Sequence, residues 1–280
     1  MKSTQKVWFI TGASKGMGLE ITKAVLRNGD KVIATSRNTD SLLEKIQGYN
    51  DNLFPVQLDI TNEKDVKNAI LQGIENFGKI DVIVNNAGYN LLGNIEELSD
   101  DEFRKTMDVN VFAIAHIIRN VLPHLRKQNS GHIINTASMM GYMSYPGNGS
   151  YSASKYAVLG MSEALAQEVA PFGIKVTVLA PGTFRTNFMN EETLSVAKNK
   201  IDVYNLDAQI AQFTGFDGKQ LGDPQKLAEV VLKVAEMPNP PLHLPLGSDS
   251  YNAIVGVRKN EKEEIEKWKT LSLFTDFELK

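Results

Sequence analysis

The chain has 280 residues, 42% hydrophobic and 22% charged, with a formal net charge of -3. That balance suits a globular protein with a sizeable core and carries no basic footprint for nucleic acid. The lack of cysteine excludes disulfides, thiolate metal sites and a cysteine nucleophile together. His116, His124, His132 and His243 are scattered without an HExxH pair, so no metal is expected. No apolar run approaches the ~18 residues that would span a bilayer, and VWFI (7–10) is too short for a signal-peptide core. The expected location is cytoplasmic.

Strands are predicted at 7–10, 31–36, 53–59, 81–86, 132–138 and 175–181, with a last one at 241–247. Several are apolar without strict alternation, as strands covered on both faces are. Helical periodicity marks 17–28, through Leu19, Ile21, Ala24, Val25 and Leu26, and 62–77, through Val66, Ala69, Ile70 and Ile74. Ser99 and Glu102 have capping-box spacing and open a long helix toward Leu125. Another helix is predicted over 151–169. Strand alternating with helix predicts a Rossmann-like α/β fold: a doubly wound parallel sheet of about seven strands, with helices on both faces. Residues 1–280 read as a single domain. An insertion at about 184–222 follows a strand end, and an extension at about 248–280 closes the chain. Ile254, Val257, Ile265, Trp268 and Leu271 make that extension loosely helical, and it is expected to pack on the domain.

TGASKGMG (11–18) sits between the first strand and the first helix. Gly12, Gly16 and Gly18 there let a pyrophosphate approach the backbone, and the helix N-terminus offers N–H donors. A glycine-rich turn without a ligand is the plainer alternative; the strand before and helix after favour nucleotide binding. The second strand ends in Ser36 and Arg37 rather than a carboxylate, and Lys15 precedes the second glycine. Two cations there favour a 2′-phosphate, although they also read as solvated surface charges. Asp59 and Ile60 end the third strand, where Asp59 is placed to cap the next helix unless a ligand engages it.

Ser138 ends a strand, and Tyr151 and Lys155 share a helix face one turn apart. Asn110 lies within the helix opened at Ser99. Singly, these are a strand terminator, an amphipathic pair and a backbone satisfier. A phenol titrates at about 10, too high for acid–base work at neutral pH, and a nearby ammonium lowers it.

The ordered set TGxxxGxG, NNAG (85–88), Ser138, Tyr151-xxx-Lys155 and PGTFRT (181–186) resembles the short-chain dehydrogenase/reductase family over roughly residues 5–247. The resemblance implies an oxidoreductase moving hydride between a nicotinamide cofactor and a carbonyl/alcohol substrate. Tyr151 would be the acid/base, and Lys155 would lower its pKa and hold the ribose. Ser138 would orient the substrate oxygen, and Asn110 would hold a relay water. Gly12, Ser14, Lys15, Gly16, Met17 and Gly18 would cradle the cofactor. Ser36 and Arg37 would meet the 2′ position, Asp59 and Ile60 the adenine, and Asn86, Ala87 and Gly88 the ribose side, while Asn85 braces strands. Pro181, Gly182 and Thr186 would meet the nicotinamide carboxamide. NADP(H) is preferred, with NAD(H) possible, and a homodimer or homotetramer is implied. Met139, Met140, Met143, Tyr145, Leu91, Leu92, Phe184, Phe188 and Met189 suggest a hydrophobic substrate pocket. The alternatives are an NAD-linked alcohol dehydrogenase of the same family and a non-catalytic dinucleotide-sensing protein.

Overall fold

Apolar, β-branched runs become strands, and capped periodic runs become helices. The computed structural model describes residues 5–49 and 51–277; positions 1–4, 50 and 278–280, including the end of the predicted extension, lie outside it. In chain order the elements are β1 (Val7–Thr11), α1 (Gly16–Arg27), β2 (Lys31–Ser36), α2 (Asp40–Leu43), β3 (Leu53–Gln57), α3 (Glu63–Phe77), β4 (Val82–Asn85), β5 (Leu91–Leu92), α4 (Asp100–Met107), α5 (Ala113–Gln128), β6 (Gly131–Thr136), α6 (Gly149–Val169), β7 (Ile174–Pro181), β8 (Ser195–Val196), α7 (Leu206–Thr214), α8 (Pro224–Glu236), β9 (His243–Leu246), α9 (Ser248–Lys267) and α10 (Lys269–Leu273).

Seven strands form one parallel sheet in the order β3-β2-β1-β4-β6-β7-β9. This is the doubly wound topology that the alternating pattern predicts. The chain runs outward from β1 to β3 and returns beside β1 at β4, so the order reverses between β1 and β4. Ligands of open α/β sheets bind at the strand C-termini beside such a reversal.

Alternate strand residues feed two cores. Phe9, Ile33, Ile83 and Ile133 face α3, α5 and α6, where Ile70, Ile117, Val121 and Val158 are buried. Trp8, Ile10, Val32, Val84 and Ile134 face α1 and α8, where Ile21, Val25, Leu227 and Val231 are buried. Helix α8 was not predicted as a separate element. Asp223 caps it, accepting from Gln225 N at 2.8 Å, and Pro224 occupies its first turn.

Three differences from the predicted elements bear on function. The helix opened by the Ser99–Glu102 capping box is not continuous: a π-helical turn at Asp108–Phe112 separates α4 from α5. Such a turn carries one extra residue and redirects a side chain, and it recurs at functional sites. Second, the segment after β7 leaves and rejoins the body at a Phe184–Gly222 bridge and pairs β8 with β5 in a small second sheet. Third, the extension packs only through its first turns. Ile254 is buried, but Ile265, Trp268 and Leu271 are 69%, 51% and 65% exposed, so the expected packed helix projects instead. KNEKEEIEKWK supplies too few apolar side chains to hold it down.

Candidate active site

The turn after β1 is built for close approach. Gly12 has φ +66°, which a β-carbon disfavours. A β-carbon at Gly18 would drive into the Gly12 carbonyl and the Asn86 amide. Thr11 Oγ1 accepts from both Asn86 N and Ala87 N at 3.0 Å, and Asn86 Nδ2 donates to Thr11 O at 3.0 Å. The glycine loop and the NNAG turn are therefore locked together. Thr11, not singled out from the sequence, does this; its signal was its place at the head of TGxxxGxG. Asn85 donates to Asn135 Oδ1 at 2.8 Å and so braces β4 against β6.

Helix α1 has no side-chain cap, whereas Asn62, Ser99 and Asp223 cap α3, α4 and α8. Its first N–H groups stay available beside the loop, as anion binding at a helix N-terminus requires. The turn thus fits a dinucleotide pyrophosphate. Met17 packs partly against the core beneath. Ser36 Oγ donates to Ser14 Oγ at 3.0 Å, joining the end of β2 to the loop, while Lys15 and Arg37 are exposed on either side.

Asp59 caps no helix. Its Oδ1 accepts from Thr61 N at 3.0 Å and Thr61 Oγ1 at 2.7 Å, and Asn62 caps α3 instead. These bonds, with the Arg37 charge behind them, lower its pKa. Ile60 packs partly against the core, and its carbonyl faces His116 Nδ1 at 3.4 Å. Pro181 ends β7, Gly182 N donates to Leu246 O at 2.9 Å, and Thr183 is held by Asp249 Oδ2 at 2.7 and 2.8 Å. Thr186 reaches the glycine loop: a β-carbon at Gly16 would lie 3.6 Å from it.

Tyr151 and Lys155 lie on the buried face of α6, with Ser138 just past β6. Lys155 Nζ donates to Thr136 O at 2.9 Å and lies 5.5 Å from the centroid of the Tyr151 ring. Asn110 is placed by the π-helical turn and is fully buried. Its Oδ1 accepts from Tyr89 N at 3.1 Å, and its Nδ2 donates to Tyr89 O at 2.9 Å and Ser154 Oγ at 3.1 Å. Ser154 in turn donates to Tyr151 O at 2.6 Å. Both hydrogens of this side-chain amide are thereby committed. Gly88 lies between Asn110 and Lys155; a β-carbon there would sit 3.1 Å from Asn110 Oδ1 and 3.6 Å from Lys155 Nζ. Ser154, one turn below Tyr151, is a further contributor that the YxxxK reading passed over.

Burial dominates the electrostatics of the Tyr151 and Lys155 pair. Burial pushes the Tyr151 phenol up to about 12, opposed only by hydrogen bonding with Ser138, and burial pushes Lys155 down to about 8. Desolvation outweighs any lowering of the phenol by Lys155 among the chain's own groups. Ser138 Oγ also accepts from Met140 N at 3.1 Å.

The expected pocket lining divides. The Phe188 ring lies 5.9 Å from the Tyr151 ring, and Met140 and Met189 are buried, while Tyr145 is half-exposed. Met139 and Met143 are half-buried. Leu92 is sealed against Ala197 and Leu206, and Phe184 packs on the α1/α8 core. Leu91 and Leu92 form β5, so they anchor the covering segment instead of lining a cleft. Glu97, fully buried, fastens the same segment: it accepts from Ile201 N at 2.9 Å and from Asn94 N and Nδ2 at 2.9 and 2.8 Å. Burial raises its pKa, but these bonds prevail and hold it low. Glu97→Ala leaves three donors without an acceptor, and limited proteolysis within 187–214 should quicken about tenfold.

No helix of the described residues is long and apolar enough to cross a membrane. Among the described residues no cluster of metal-ligating side chains occurs.

A sequence-family model described as short chain dehydrogenase matches residues 6–196. Oxidoreductase BOA17 of Botryotinia fuckeliana is 39% identical over 96% of this chain and 98% of its own. A short-chain dehydrogenase from Streptomyces avermitilis superposes with a TM-score of 0.89 at 35% identity, covering 98% of this chain and all of the other. A short chain dehydrogenase from Burkholderia cenocepacia was solved with NADP (TM-score 0.74, 25% identity, 95% and 98% covered). One from Burkholderia phymatum was solved with NAD (0.79, 26%, 95% and 96%).

Proposed function

The chain belongs to the short chain dehydrogenase family and is an oxidoreductase, and on that premise we propose that it moves a hydride between NADP(H) and a hydrophobic carbonyl/alcohol substrate. The supporting observation is the buried group of Ser138, Tyr151, Lys155 and Asn110 beside a glycine turn that fits a dinucleotide. Residues 1–280 are read as one catalytic unit, with 184–222 as the substrate loop and 248–280 as an extension.

When bound, the reduced cofactor supplies hydride to the carbonyl carbon. Tyr151 supplies the proton to the carbonyl oxygen, and its high pKa keeps it protonated and able to donate at neutral pH. Ser138 donates to that oxygen and fixes it near the phenol. Lys155 has ammonium hydrogens beyond the one on Thr136 O and uses them on the nicotinamide ribose. Its charge compensates the phenolate that forms as the proton leaves. Asn110 holds the position of Tyr89 and, through Ser154, the first turn of α6; any relay water is held by its backbone. Phe188 shields the phenol from solvent and, with Met140 and Met189, favours an apolar substrate.

Gly12, Ser14, Gly16 and Gly18 cradle the pyrophosphate, with Asn86, Ala87 and Gly88 beside the ribose and Pro181, Gly182 and Thr186 at the carboxamide. Lys15 and Arg37 flank the 2′ position, and Ser36 leaves no carboxylate there to repel a phosphate. The test is a carbonyl and alcohol panel run with both cofactors. Arg37→Asp should lower the ratio of NADPH to NADH efficiency by about 100-fold. An unchanged ratio refutes the NADP preference, and no turnover across the panel refutes catalysis.

A further inference from the structure

Just past α2, Lys45 turns its ammonium back onto the glycine loop. Its Nζ donates to Ser14 O at 3.1 Å and to Ser41 Oγ at 3.2 Å. The Ser14 hydroxyl is the one joined to Ser36 at the end of β2, and Ser36 Oγ is further fixed by Asn38 N at 3.2 Å. Lys45 thus sits on the Ser14 carbonyl, while the exposed Lys15 and Arg37 are the chain neighbours of Ser14 and Ser36. Among the described residues none of the three forms a salt bridge.

The three are not equivalent. Arg37 acts weakly on the Asp59 carboxylate, lowering its pKa behind the Thr61 hydrogen bonds. Lys45 has only neutral acceptors, a carbonyl and a hydroxyl. An ammonium on a flexible stem exchanges such partners readily for an anion, because a charge-assisted bond is roughly twice as strong as a neutral one.

We infer that Lys45 is a third binding residue for the 2′-phosphate of NADP(H), held at the glycine loop by its contact with Ser14. This rests on the NADP reading above and adds a residue that no glycine-loop or strand-end pattern indicates. A purely structural role makes a different prediction. If Lys45 only braces the loop through Ser14, its loss weakens NADPH and NADH alike.

The experiment is fluorescence titration of the full chain with NADPH and with NADH, for wild type, Lys45→Met and Lys45→Arg. Lys45→Met keeps the apolar stem and removes the charge. It should weaken NADPH binding about tenfold and change NADH binding by less than about twofold. Lys45→Arg should keep most of the NADPH affinity, and added salt should narrow the gap between wild type and Lys45→Met. Unchanged NADPH affinity in Lys45→Met, or equal losses for both cofactors, overturns the inference while leaving the NADP preference of wild type standing. A wild type that does not discriminate between the cofactors overturns the NADP reading, and Lys45 with it.

Discussion

Tyr151→Phe should bind NADPH as wild type does and reduce carbonyl substrates about 1,000-fold more slowly. The substitution removes one hydroxyl and keeps the ring that lies against Phe188 at 5.9 Å. Cofactor contacts proposed for the glycine loop are untouched. Ser138 loses one partner but keeps the bond from Met140 N at 3.1 Å. A pH profile adds a second check. The phenol is pushed up to about 12 by burial, so it stays protonated as donor throughout, and wild-type reduction should be level from about pH 6 to about pH 7 and fall above about pH 8, where Lys155 loses its charge. Oxidation of the alcohol needs the phenolate and should climb with pH until Lys155 loses its charge at about pH 8. Steady-state rates in both directions, with NADPH titration of the variant, decide the matter. Wild-type-like turnover in Tyr151→Phe would remove Tyr151 as proton donor.

The sheet was legible because its strands are buried on both faces. VWFI and DVIVNN show near-continuous apolar runs, and the runs alternate with capped or periodic helices. The edge where the motifs gather was legible for the same reason: in a parallel sheet every strand C-terminus lies on one side. What stayed hidden depends on one-residue shifts and on neighbours distant in sequence. The π-helical turn at Asp108–Phe112 leaves no mark in composition, yet it decides which way Asn110 points. Leu92 reads as a pocket residue until its partners Ala197 and Leu206, more than a hundred positions away, are known. Lys45 looks like any exposed lysine, because its contact with Ser14 spans 31 positions. The phenol's pKa could not be read from a nearby lysine, since burial of both groups outweighs the charge between them.

Lys155→Met should disable the enzyme and change the pH dependence of its stability. Lys155 is buried with its ammonium on the Thr136 carbonyl, and burial pushes its pKa from 10.5 down to about 8. Between those values the folded chain binds fewer protons than the unfolded chain, so stability rises with pH. The penalty for burying the charge is full below about pH 8 and fades toward about pH 10.5, a span on the order of 3 kcal/mol. Methionine keeps the stem volume and carries no charge. Loss of the Thr136 bond costs about 1 kcal/mol at every pH and leaves the slope alone. Tyr151 titrates above this window and is common to both proteins. The stability of Lys155→Met relative to wild type should therefore be highest near about pH 7 and decline toward about pH 10. Its kcat/KM should be about 100-fold to 1,000-fold lower, because no cation then offsets the forming phenolate. Urea unfolding of both proteins at several pH values tests the first claim, and steady-state kinetics the second. A difference in stability that stays flat with pH would show that Lys155 is not a buried charge. Undiminished turnover would show that its charge does not serve Tyr151.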